Sequence, residues 1–182
     1  TVTKGKPYKE NWANTKVILK KKIWTVEDKN NDNYTWEDLD AGAPAYNGAN
    51  ATVNADDWLV SPPLHLIAGQ TYALEAGAVV GGHSGTGQRM NIAYGTGDDP
   101  TTYNEIVPTT PISGTAFGTP TTIKTTFTPT ETGDYRIGFH AVSDRPGYII
   151  MRPVKVEEAA ETSGTPIAIS DLKLETGQNG EQ

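Results

Sequence analysis

Apolar positions along the chain fall in short runs broken by Gly, Pro and Asp. In residues 71–76, Tyr72 and Leu74 alternate with Ala73 and Glu75, the period of a half-buried strand. Residues 121–128 set Ile123 and Phe127 among threonines. Residues 134–142 put Tyr135, Ile137 and Phe139 on one face. Shorter runs at 16–22, 23–26, 58–61, 64–67, 91–94, 147–151 and 167–174 complete the predicted strands. Helical propensity concentrates at 156–162, around Glu157, Glu158, Ala159, Ala160 and Glu161. Gly164 and Pro166 follow, so a polar loop is the competing reading there. Two stretches, 27–56 and 95–120, read as long loops. The pattern predicts an all-β sandwich.

Composition supports this class. The 182 residues include 25 Thr, 19 Gly and 12 Pro, residues of strands and turns rather than helices. The length suits a single hydrophobic core. The absence of Cys excludes disulfide scaffolds, thiolate metal sites and cysteine nucleophiles. A net charge of −7 argues against a nucleic-acid partner, which needs clustered Lys and Arg. No apolar run approaches the roughly 18–20 residues of a membrane span. Residues 1–176 read as one domain and the polar run 177–182 as a linker, the whole being a segment of a longer chain that is compatible with the cytosol or with export.

Few motifs carry chemistry. Asp28, Asn30 and Asp32 place oxygen-bearing side chains at alternate positions, where a curled loop offers them to one hard cation such as calcium. The Gly and bidentate Glu of an EF-hand loop are missing. An Asn/Asp turn bonded to its own backbone is the structural alternative. Lys20, Lys21 and Lys22 read as a solvated strand end or edge. In the run Asp56-Asp57-Trp58-Leu59-Val60-Ser61-Pro62-Pro63, Trp58 is expected in the core and Asp56 or Asp57 as a turn cap. The Gly-rich stretch around His83 lacks the phosphate-loop pattern. His65, His83 and His140 have no partners at zinc-ligand spacing. No nucleophile-elbow sequence occurs.

The ordered segments resemble the cleaved-adhesin, or choice-of-anchor J, modules of Bacteroidetes surface proteins. The residues carrying this are Tyr8 to Trp12, Trp24 to Val26, Asp28 to Trp36, Asp56 to Pro62, Gly69 to Tyr72, Ile92 to Thr96, Thr130 to Gly138 and Ile169 to Leu174. The resemblance implies a jelly-roll sandwich of two antiparallel sheets, secreted or on the cell surface, with a non-catalytic role. It also implies structural calcium, with Glu10 and Asp171 at positions that supply ligands. At 28–33 the sequence has Asn and Lys where the family commonly has glycines. Residues 169–174 are taken as the closing strand in preference to 154–156.

Two functions from different classes follow. One is a monomeric module that binds a carbohydrate or a protein, with Tyr94, His83, Arg89 and Tyr103 as candidate aromatic and polar contacts. The alternative is a structural spacer within a larger secreted protein. A jelly-roll glycoside hydrolase would need paired carboxylates about 5–5.5 Å or 6.5–9.5 Å apart, and no strand shows such a signature.

Overall fold

The computed structural model describes residues 7–81, 87–113 and 118–160. The expected Gly-rich tip with His83, the linker 177–182, and the strand 169–174 with Asp171 lie outside the described residues.

Among the described residues, twelve strands form two antiparallel sheets. They are β1 (Tyr8–Glu10), β2 (Thr25–Asp28), β3 (Trp36–Asp38), β4 (Pro44–Asn47), β5 (Asp57–Val60) and β6 (Leu64–Leu66). Then follow β7 (Tyr72–Gly81), β8 (Arg89–Gly95), β9 (Asn104–Pro111), β10 (Thr121–Phe127), β11 (Gly133–Ala141) and β12 (Tyr148–Glu158). The first sheet runs β10-β7-β12-β4-β3, with β1 also on β12. The second runs β2-β5-β11-β8-β9, with β6 also on β11. Neighbours far apart in sequence, such as β7 beside β12 and β5 beside β11, mark the crossovers of a jelly-roll sandwich.

The core lies between the sheets and follows the alternation. On β7, Tyr72, Leu74 and Ala76 are buried while Ala73 and Glu75 are only partly covered. Trp12, Trp24 and Phe139 pack with tilted rings across the sandwich, the Trp12 and Trp24 ring centroids 4.7 Å apart. Their indole N–H groups have partners: Trp12 Nε1 donates to the Arg152 carbonyl and Trp24 Nε1 to the Tyr8 hydroxyl. Burial is therefore not offset by unsatisfied donors there. The Ser61 hydroxyl accepts from the Ile137 amide at 2.8 Å, fixing the end of β5 before Pro62.

Four expectations are corrected. Residues 15–20 form a helix, α1 (Thr15–Lys20), not a strand. The Asn14 side chain accepts from the Val17 amide, and Ile18 turns into the core. The lysines at 20–22 are therefore solvated at a helix C-terminus, where cations suit the dipole. The predicted loop 27–56 contains β3 and β4, and 95–120 contains β9 and a 3-10 turn, Pro100–Thr102. The predicted helix at 156–162 begins instead as the last residues of β12. Residues 154–156 sit inside that strand, paired with both β1 and β7.

Candidate functional site

The β2–β5 pairing sets Asp28 directly opposite Asp57. Cross-strand partners share a face, so both carboxylates point toward the sandwich interior. Beyond β2 the chain curls back through Asn31 and Asn33, both at positive φ, a conformation Asn tolerates. The Asp28 carboxylate accepts from the Asp32 and Asn33 amides, the latter at 2.9 Å. The Lys29 amide donates to the Asp56 carbonyl at 3.0 Å and ties the curl to the start of β5. Asp32 is thereby delivered to the pair. One carboxylate oxygen each from Asp28, Asp32 and Asp57 lie within 4.8 Å of one another.

The electrostatics of this group are unusual. Asp57 is fully buried. One of its oxygens accepts from the Asp56 amide, but Oδ1 has no partner. Asp32 Oδ2 is also buried without a partner, and the Thr35 hydroxyl lies beside Asp57, where it favours the ionised carboxylate. Burial pushes the Asp57 carboxyl up to about 7, and the Asp28 and Asp32 charges add to the rise. The neighbouring Tyr46 hydroxyl is raised by burial and by the same three aspartates. Three converging carboxylates, two of them with a buried unpartnered oxygen, fit a hard cation: they offer oxygen donors and negative charge together. The cluster could coordinate a metal ion.

Asn30 braces this loop, donating through Nδ2 to the Asn54 carbonyl at 2.8 Å. Its Oδ1 accepts from the Asp32 amide. Glu10 is not part of the acidic group; its carboxylate accepts from the Trp12 amide at 2.9 Å. The sequence reading missed Asp57, whose signal was its place two residues before Leu59, on the same face of a strand that is buried throughout.

The candidate ligand contacts are distributed. Tyr94 packs on Phe127, with centroids 4.6 Å apart, and on Tyr135 against the main core. Arg89 is ion-paired with Asp144. Tyr103 lies on the outer face of the second sheet, edge-on to Trp58, with its hydroxyl donating to the Gly97 carbonyl at 2.6 Å. Trp58, Val60 and Ala93 form a small second cluster on that face. The structure does not bring Tyr94 and Tyr103 into one platform.

The fold is that of adhesin and carbohydrate-binding jelly rolls, in the same all-β arrangement of two antiparallel sheets. The K1 cleaved adhesin domain of Lys-gingipain from Porphyromonas gingivalis has a TM-score of 0.62 at 19% identity, covering 86% of this chain and 100% of that one. The K2 cleaved adhesin domain of Lys-gingipain gives 0.61 at 12% identity, with 83% and 99% covered. The CBM22-1 xylan-binding domain of Xyn10C from Paenibacillus barcinonensis gives 0.50 at 8% identity, with 88% and 100% covered. No family model and no curated protein sequence matches the chain.

Proposed function

We propose that the chain is a non-catalytic binding module, exported to the cell surface or beyond, whose ligand is a glycan or a protein. The binding reading is supported by one observation: the chain aligns with the whole of a cleaved adhesin domain. We further propose that the metal ion suited to Asp28, Asp32 and Asp57 is calcium. Calcium takes six to eight oxygen ligands and accepts irregular cages built from carboxylates, carbonyls and water. Asp32 supplies the loop side of that cage, and Asp28 and Asp57 the strand side. The ion's role is to lock the β2–β3 loop onto β5, leaving the sheet faces and loop rims for ligand.

The test is a panel of immobilised polysaccharides and matrix proteins, assayed for retention of the chain and for released reducing ends. Retention without release is expected. Release of sugar, or absence of retention on every member, would overturn the reading.

A further inference from the structure

On the outer face of the first sheet, strand alternation and register align four charged residues in a row. Lys124 of β10 stands opposite Glu75 of β7, Glu75 opposite Lys155 of β12, and Lys155 opposite Lys9 of β1. Their strand neighbours Ile123, Leu74, Ala76, Val154 and Val156 are buried, so the row faces away from the core. At about 4.8 Å between strands, the row spans about 14 Å. Two cavities of about 320 and 540 Å³ lie along it and share Glu75 and Lys155, forming one groove.

The groove floor is low because β7 carries Ala73 and Gly77 there. A Cβ on Gly77 would come within 2.9 Å of Arg152 Cβ, so the hollow depends on this glycine. The charge is the reverse of the whole molecule's. Among the described lining residues Lys9, Lys124 and Lys155 stand with Glu75 and Glu157, an excess of cations on a chain of net −7. Lys155 is engaged by Glu75 at 3.8 Å and Glu157 at 3.5 Å. Lys9 and Lys124, at the two ends of the row, are exposed and make no ion pair among the described residues.

We propose that this groove binds an acidic polysaccharide carrying about one carboxylate per sugar, a uronate chain. The inference rests on the binding-module reading and names the ligand class. Lys9 and Lys124 take carboxylates at the two ends. Glu75, Glu157 and the Thr122 hydroxyl lie between and beside them and accept from sugar hydroxyls. A ligand must therefore present both anions and many neutral donors. A uronate chain does so in every unit. The two glutamates disfavour a densely sulfated chain. An extended peptide gains affinity by adding to a sheet edge, whereas the backbone groups here are spent on the β7, β10 and β12 ladders.

The experiment is calorimetric titration of galacturonate oligomers into the intact chain, beside neutral xylan oligomers and poly-glutamate. The comparison proteins are K124A and the double variant K9A/K124A, each checked for an unchanged melting temperature. The wild type is expected to bind galacturonate, with affinity falling as salt rises and falling about ten-fold with each lysine lost. K124R is expected to retain most of the binding. Binding of neutral oligomers alone overturns the uronate inference and leaves the binding-module reading standing. Equal binding of poly-glutamate, or full uronate binding by the double variant, also overturns it. Binding of no sugar, together with no retention on the wider panel, overturns both.

Discussion

Asp28 on β2 and Asp57 on β5 are direct cross-strand partners, two carboxylates facing each other across one antiparallel pair. Like charges so placed destabilise a sheet. Asp32 adds a third carboxylate from the following turn. A cation converts this repulsion into a link between the two strands and the turn. Asp57→Asn separates the two effects. Without metal and above pH 7, D57N is expected to melt no lower than the wild type, because a repulsive charge is gone. With calcium, only the wild type is expected to gain stability, by about 2.7 kcal/mol at a hundred times the dissociation constant. Thermal melts with chelator and with calcium provide the check. An equal calcium response in both proteins would contradict the site.

Asp57 also sets a pH dependence for the metal-free protein. Its folded pKa is raised from 3.8 to about 7, so the folded state favours the neutral acid. Below pH 3.8 both states hold the proton, and this contribution is fully present. As pH rises toward 7 the unfolded chain ionises freely and the folded chain does not, so the contribution is lost. Urea unfolding in chelator should show the wild type losing stability relative to D57N between about pH 4 and pH 7, then levelling off. A flat difference would contradict the burial of an uncompensated carboxyl.

On the outer face of the second sheet, Trp58 lies flat on His140, with ring centroids 4.0 Å apart and planes 5° apart. Gly138 makes room for the indole: a Cβ there would meet the Trp58 ring at 2.8 Å. His140 Nε2 pairs with Asp56 at 2.7 Å, which ties the stack to the residue beside the acidic group. Gly138→Ala is expected to cost about 1–3 kcal/mol through overpacking. Near-ultraviolet circular dichroism should report the change at Trp58, and chemical denaturation the cost. An unchanged spectrum and stability would show that the stack does not hold this face.

The helix at Thr15–Lys20 stands on a single cap. Asn14→Ala removes the acceptor for the Val17 amide and should cost about 1 kcal/mol. Asn14→Asp should keep the stability. The measurement is the denaturant midpoint of the three proteins.

The long strands were legible because their buried positions alternate, as at Tyr72, Leu74 and Ala76. The segment at 16–22 was not, because Val17, Ile18 and Leu19 form a run too short to distinguish the two periods. Asn14, three residues before Val17, was the available sign of a helix. Strands β3 and β4 escaped because three or four residues carry no period, and Pro44 and Ala45 resemble loop. Two of the three carboxylates of the metal cluster were readable in the spacing of Asp28 and Asp32. Asp57 joins it through strand register, which a local motif does not contain. The groove on the first sheet was hidden for the same reason: Lys9, Glu75, Lys124 and Lys155 meet only once four strands are aligned.

The most direct measurement is calorimetric titration of calcium into the metal-stripped chain at pH 7.5, with D57N beside it. One site with measurable heat in the wild type, and its loss in D57N, is the expected result. No binding by the wild type, or equal binding by D57N, would contradict a cation held between Asp28, Asp32 and Asp57.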